Sequence, residues 1–97
     1  MTKDRFDRPV MDKLFQAILT LESVEECYAF FEDLCTINEL NSLAQRLEVA
    51  RMLREGRTYT SIEEATGVST ATISRVKRFL HYGAGGYQLI LDRQKKE

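Results

Sequence analysis

Gly67 and Ser69 sit two residues apart within Tyr59-Thr-Ser-Ile62-Glu-Glu-Ala65-Thr-Gly67-Val68-Ser69-Thr-Ala71-Thr-Ile73-Ser-Arg75-Val76-Lys-Arg78, and together they impose a sharp reversal between two short helices. Glycine adopts a left-handed backbone at little cost, so the first helix ends at Gly67. Serine is a natural N-cap, its hydroxyl accepting from the unpaired N–H groups that open the second helix. Ile62, Thr66, Val68, Ile73 and Val76 fall where the two crossed helices must touch. Thr60-Ser-Ile-Glu63 reads as the capping box that starts the first helix, and the second runs from about Thr70 to His81.

The second helix is expected to expose Thr70, Ala71, Ser74, Arg75 and Arg78, mostly short or basic. Short side chains let a helix enter a DNA major groove about 12 Å wide, and arginines reach phosphates or guanine edges. The candidate DNA-binding residues are therefore Ser69, Thr70, Ala71, Thr72, Ser74, Arg75, Lys77 and Arg78. One position departs from the usual helix-turn-helix: its fifth residue is commonly a small alanine, and here it is Glu63. The plainer alternative is a helical hairpin in a bundle, which leaves the run Thr70-Ala-Thr-Ile-Ser-Arg75 without a packing reason.

The net charge of −1 does not resemble a DNA binder until the chain is divided. Residues 1–44 hold four bases (Lys3, Arg5, Arg8, Lys13) against nine acids, and residues 45–97 hold ten bases against six. Residues 68–81 contain Arg75, Lys77 and Arg78 with no acid. Attraction to a phosphate backbone follows this local field. Glu63 and Glu64, on the helix facing the backbone, oppose strong non-specific affinity.

Ninety-seven residues, 43% hydrophobic and 30% charged, describe a single globular domain. No apolar run approaches the 18 or so residues that span a membrane. The charged start of the chain lacks a signal-peptide core, so the cytoplasm is the default address. Cys27 and Cys35 have no metal-knuckle or redox spacing and are expected to be reduced core thiols. His81, the single histidine, has no partner at ligand spacing and is expected at a surface or helix end. No metal and no cofactor are expected.

Periodicity predicts an all-α chain of about six helices. Pro9 suits the start of the first, whose stripe is Val10, Leu14, Ala17, Ile18 and Leu21. Ser23-Val-Glu-Glu26 is a capping box for the second, with Val24, Cys27, Tyr28, Phe31 and Leu34 on one face and Phe30 widening it. Thr36-Ile-Asn-Glu39 opens the longest helix, about residues 37–55, with Ile37, Leu40, Leu43, Ala44, Leu47, Ala50 and Leu53 on its apolar side and Gly56 as its stop. Gly83-Ala-Gly-Gly86 lacks the strand and Gly-Lys-Ser/Thr of a phosphate loop, and is read as a cap and hinge. A short helix with Tyr87, Leu89, Ile90 and Leu91 and a charged tail follow. The first helices are more apolar than a lone bundle covers, and a two-fold dimer supplies the missing surface. The expected division is 1–56 as dimerisation platform, 57–82 as helix-turn-helix and 83–97 as terminal helix and tail.

From about Thr36 to Arg78 the chain resembles the Trp-repressor superfamily, and over its whole length the small YerC-type branch of it. The carrying residues are Ala50-Arg-Met-Leu-Arg-Glu-Gly56, the helix-turn-helix, and Ala71-Thr-Ile-Ser-Arg75. The resemblance implies an intertwined homodimer of six-helix chains that inserts the second helix of each pair into a pseudo-palindromic operator. It implies groove-reading roles for Thr70, Ala71 and Ser74, and a role for Arg75 toward both ligand and phosphate. It also implies a possible effector pocket of Thr36, Arg46 and Arg75, with one residue inserted before the helix-turn-helix. Val76 and Phe79 stand where the family's tryptophan pocket has a glycine and a serine, so tryptophan is not expected to bind. The plainer roles are helix capping for Thr36 and a surface ion pair for Arg46; whether another small effector exists stays open.

The leading expectation is a homodimeric, sequence-specific transcriptional regulator acting on double-stranded DNA, with repression the expected sign. The alternative is a helix-turn-helix adaptor that binds a protein partner, favoured by Glu63, Glu64 and the net charge of −1. A small helical enzyme would need charges on inward faces. The assigned inward positions are aliphatic or aromatic apart from Arg46 and Arg75, so no enzyme is expected.

Overall fold

The computed structural model describes Arg5 and residues 7–95, and among these the regular elements are six α-helices with no strand. They are α1 (Arg8–Ile18), α2 (Val24–Leu34), α3 (Ile37–Arg54), α4 (Tyr59–Thr66), α5 (Thr70–Tyr82) and α6 (Gly86–Lys95). The last two residues of the charged tail lie outside the described residues. The chain divides into two compact units, Met1–Thr36 and Ile37–Glu97.

In the first unit, Asp7 caps α1 and Pro9 lies in its first turn, where a missing N–H costs nothing. Ser23 caps α2, its Oγ accepting from the Glu26 N–H at 3.1 Å. The Glu26 carboxylate accepts from the Glu22 N–H at 2.8 Å, one residue beyond the reciprocal bond of a standard capping box. Neither helix has a buried residue. Phe30 and Phe31 are half-buried and meet edge to face, ring centroids 5.4 Å apart. The expected core thiols are corrected: Cys27 is exposed and Cys35 half-buried, because the described residues of this unit bury no side chain and so offer no interior to receive them.

In the second unit, α3 packs on α4, α5 and α6, and α5 packs on α4 and α6. The core is Val49, Ala50, Met52, Ile62, Ile73, Val76, Leu80 and Leu91, flanked by Leu47, Leu53, Tyr59, Val68 and Tyr87. The apolar side expected for α3 is only partly the buried one. Val49 and Met52 are buried with Ala50, whereas Leu43 is exposed and Ile37 is 77% exposed. Helices α4 to α6 gather on the C-terminal half of α3, so its N-terminal half is uncovered although its apolar repeat continues.

Helix α3 stops as expected at Gly56, the N–H of Arg57 bonding to Met52 O at 3.1 Å and that of Gly56 to Leu53 O at 3.0 Å. Helix α4 begins earlier than expected. Its N-cap is Thr58, whose Oγ1 accepts from the Ser61 N–H at 3.1 Å, so Thr60 is already helical. Arg57 reinforces that start by donating to Ser61 Oγ at 2.9 Å (Nε) and 2.7 Å (Nη2).

Gly67 has φ +76° and is the C-cap of α4, its N–H bonding to Glu63 O at 2.8 Å. Thr66 Oγ1 donates to Ile62 O at 2.7 Å and accepts from the Val68 N–H at 3.3 Å, tightening the turn. Ser69 Oγ then accepts from the Thr72 N–H at 3.2 Å and opens α5. The turn chemistry and contacts expected for the pair hold: Ile62 and Ile73 are fully buried, Val76 is buried, and Val68 packs on the same core. Helix α5 ends at Gly83, where a β-carbon would stand 2.5 Å from Phe79 O.

Candidate nucleic-acid interface

Helix α5 turns about 100° per residue, so Ile73, Val76 and Leu80 define one side and Ala71, Arg75, Arg78 and Tyr82 the other. The first three are buried and the other four exposed. The core therefore fixes the rotation of α5 about its own axis, and with it the side presented to solvent. Ser69, Thr70, Ser74 and Lys77 are also exposed, and Thr72 is half-buried.

The eight sequence-predicted residues separate into groups. Ser69 and Thr72 are engaged at the cap, where Ser69 Oγ also donates to Thr72 Oγ1 at 3.3 Å. Ala71 and Thr70 form the short, unencumbered start of the outer face. Arg75 and Arg78 project from its middle, the Arg78 guanidinium lying 5.4 Å from the Phe79 ring centroid. Ser74 and Lys77 lie toward α4: Ser74 Oγ donates to the Tyr59 hydroxyl at 3.4 Å, and Lys77 Nζ stands 5.8 Å from the Tyr59 ring centroid.

Among the described residues, no carboxylate pairs with Arg75, Lys77 or Arg78; the ion pairs are Arg51 with Glu48 and Glu55, and Arg54 with Asp92. The basic side chains near α5 are thus available to an external anion, while Arg51 and Arg54 of α3 are internally matched. The hydrogen bond from Arg51 holds the Glu48 carboxyl below its ordinary range against the opposing effect of burial, and the same contact raises the Arg51 guanidinium.

The three effector-pocket residues are not gathered in one unit. Thr36 ends the first, directly before α3; Arg46 is half-buried on α3 and Arg75 exposed on α5 in the second. Among the described residues, neither arginine makes an ion pair or a side-chain hydrogen bond. Val76 is committed to the core, whereas Phe79 is 48% exposed. Phe79 lines an open groove of about 600 Å³ with Leu47, Ala84, Gly86, Tyr87 and Ile90. A second cavity, of about 430 Å³, lies against Arg51, Arg54, Glu55, Leu91, Gln94 and Lys95. Its two arginines are already paired with carboxylates.

Sequence reasoning missed Tyr59, Tyr82 and Gln88. Tyr59 was hidden by placing the cap at Thr60; starting from Thr58 puts Tyr59 in the first turn, three residues before buried Ile62. Tyr82, 86% exposed, continues the outer face one turn beyond Arg78. Gln88 gave no signal, since its partners are a main-chain carbonyl and a distant arginine. His81 is exposed in the last turn of α5, as expected. Among the described residues no group of His, Cys, Asp and Glu could hold a metal ion, and no helix is long and apolar enough to cross a membrane.

Comparison with known proteins bears on what such a surface serves. The profile of the family described as Trp repressor protein matches residues 10–95. The uncharacterized protein YerC of Bacillus subtilis (strain 168) is 62% identical over 96 residues, covering 99% of this chain and 92% of its own. A crystal structure of a protein proposed to be a Trp repressor, from Staphylococcus aureus, superposes with a TM-score of 0.92 at 56% identity, covering 100% of this chain and 97% of that one. A TrpR-like protein from Eubacterium eligens ATCC 27750 gives a TM-score of 0.92 at 55% identity, with 95% of each chain covered.

Proposed function

This chain belongs to the Trp repressor family, a family of regulators and not of enzymes, and on that premise we propose that it is a sequence-specific DNA-binding transcriptional regulator. The observation that carries the reading is the outer face of α5. Two arginines that pair with no carboxylate among the described residues, and a short-chain entrance, stand on a helix whose other side is locked into the core by Ile73, Val76 and Leu80. Rigid seating of a helix with short and basic side chains outward is what insertion into a major groove requires. Thr70, Ala71, Arg75 and Arg78 are assigned to the groove and its phosphates, and Ser69 and Thr72 to orienting the helix start. The site of action is the cytoplasm, where operator DNA would be met.

The working unit in this proposal is a homodimer. Helices α1 and α2 and the first half of α3 bury no residue, yet carry Val10, Phe15, Leu19, Val24, Tyr28, Leu34, Ile37 and Leu43 exposed. Exposed apolar side chains on helices that bury none are what a second copy would cover. Residues 1–56 then serve as the dimerisation platform, residues 57–82 read DNA, and two-fold symmetry matches a pseudo-palindromic operator. Tryptophan is not the effector in this reading, because Val76 and Phe79 replace the small residues of the family's pocket.

Selection of bound duplexes from genomic fragments tests the reading and identifies the operator together. Affinity for the selected duplex should fall steeply with salt, each neutralised phosphate adding about −0.9 to the log–log slope. Changing Arg75 and Arg78 together to Ala should abolish retention, and unaltered retention would overturn the proposal. Half-buried Glu63 and exposed Glu64 on α4 favour one alternative, a protein-binding adaptor. That alternative gains if no duplex is retained at low salt while a defined protein partner binds α5.

A further inference from the structure

We propose that Tyr59, Ser74 and Lys77 form a single contact for a DNA backbone phosphate on the α4 side of α5, with Tyr59 as the residue that positions the other two. This rests on the DNA-binding reading and specifies which side chains hold backbone and which are left for bases. Ser74, expected from resemblance to read a base, is thereby assigned to the backbone.

The geometry supports it in three steps. First, Ser74 Oγ donates to the Tyr59 hydroxyl oxygen at 3.4 Å, well beyond the 2.7–2.8 Å typical of paired hydroxyls. That one contact uses one of the two hydroxyl protons, and among the described residues neither hydroxyl donates elsewhere, so the other proton stays free to donate. The pair thus keeps one O–H donor for a third group. Second, Lys77 Nζ lies 5.8 Å from the Tyr59 ring centroid, within cation–π range of about 6 Å, and no carboxylate pairs with it among the described residues. An ammonium and a phenolic O–H therefore share one seam. Third, Tyr59 is half-buried against the core, so its hydroxyl is carried on a seated ring rather than on a free side chain.

A hydroxyl donor beside an ammonium suits a compact, singly charged oxyanion with several acceptor oxygens, which describes a phosphodiester. A base edge is the poorer match. The trio lies at the junction of α4 and α5, to one side of the Ala71, Arg75 and Arg78 face that would occupy the groove. Phosphate contacts fix register and orientation without carrying sequence information. The trio would set how deeply and at what angle α5 lies.

The test uses the full chain, a short random-sequence duplex and the duplex selected from genomic fragments, with affinity measured across a salt series. Tyr59→Phe keeps the ring and removes the O–H; it should weaken binding about three- to ten-fold on both duplexes, the equivalent of one hydrogen bond. Lys77→Ala should lower the salt slope by about 0.9. The double variant should lose less than the product of the two, because both contacts serve one phosphate. Parental affinity and slope in both single variants would overturn the trio, as would a loss confined to the selected duplex, which would make these residues base readers. Failure of the parent protein to bind either duplex is the separate result that removes the DNA-binding reading itself. Lys77 is exposed, so its variant tests the proposal even if the Tyr59 variant melts early.

Discussion

The Gln88 side-chain amide donates to the Leu80 carbonyl oxygen at 3.1 Å. That bond ties α6 to the end of α5, and Arg54 of α3 extends the tie by donating to Gln88 Oε1 at 3.1 Å and pairing with Asp92. The last turn of a helix has carbonyls without internal partners, so a side-chain donor there stabilises the helix end and its neighbour together. Gln88→Leu should cost about 1 kcal/mol, or about 4–8 °C in Tm for a chain of this length. Chemical and thermal denaturation measure it, and an unchanged midpoint would show that the tie contributes nothing.

The two glycines that bound α5 should fail for different reasons. At Gly67 an added β-carbon meets nothing, and only the φ of +76° resists a side chain. Gly67→Ala should then cost about 1–2 kcal/mol, and Gly67→Asn less, since asparagine tolerates this region. At Gly83 the backbone is extended, but a β-carbon would stand 2.5 Å from a main-chain oxygen that cannot swing aside. Gly83→Ala and Gly83→Asn should therefore be equally damaging. Paired melts of the four variants check this; a benefit from Asn at position 83 would refute the steric account.

How far the sequence disclosed this arrangement depended on whether a residue's partner was near in the chain. Gly67, Ser69, Ile62, Ile73 and Val76 were readable because turn, cap and helix contact all lie within fifteen residues of one another. The face of α3 was not, because Ile37, Leu40 and Leu43 continue the same apolar repeat that Leu47 and Leu53 carry, and nothing local says where cover stops. Val49 and Met52 were missed for the same reason. The α4 cap failed on a local ambiguity: Thr58 and Thr60 are both caps by residue type, and Arg57 helps decide by binding Ser61. Outward arginines on α5 were legible, whereas the turning of Ser74 and Lys77 toward Tyr59 needed the crossing of two helices to be known.

The Arg51–Glu48 contact sets a small acid dependence of stability. Glu48 is held below its ordinary value of 4.5 chiefly by the hydrogen bond from Arg51. A carboxyl depressed in the folded state contributes stability that is full above its unfolded value and lost as pH falls through the folded one. The loss therefore belongs to the acid limb, below about pH 4.5. The raised Arg51 guanidinium has the opposite sign, its contribution lost only in strong alkali. Both side chains are over two-fifths exposed, so solvent screening limits the effect to well under 1 kcal/mol. Glu48→Gln should flatten the acid limb of a Tm-against-pH curve slightly and leave neutral pH almost unchanged; a large neutral-pH loss would contradict this.

Leu19 offers the sharpest test of the proposed dimer. It is 83% exposed at the end of α1, and Phe15, one turn earlier, is 55% exposed. For an isolated chain, exchanging such a leucine for glutamate is a surface change within about 0.5 kcal/mol. If a second copy covers this face, the exchange instead removes about 1.5–3 kcal/mol of burial from each site and puts a charge against apolar surface. Leu19→Glu should then weaken self-association by at least about ten-fold, and Phe15→Ser should add to it. The parental Tm should rise with protein concentration and that of the double variant should not, since only an associating fold is stabilised by mass action. Sedimentation equilibrium reads the stoichiometry directly. A parental mass of one chain at micromolar concentration, or a variant that remains as dimeric as the parent, would remove this face from the interface and leave the apolar residues of α1 without a partner.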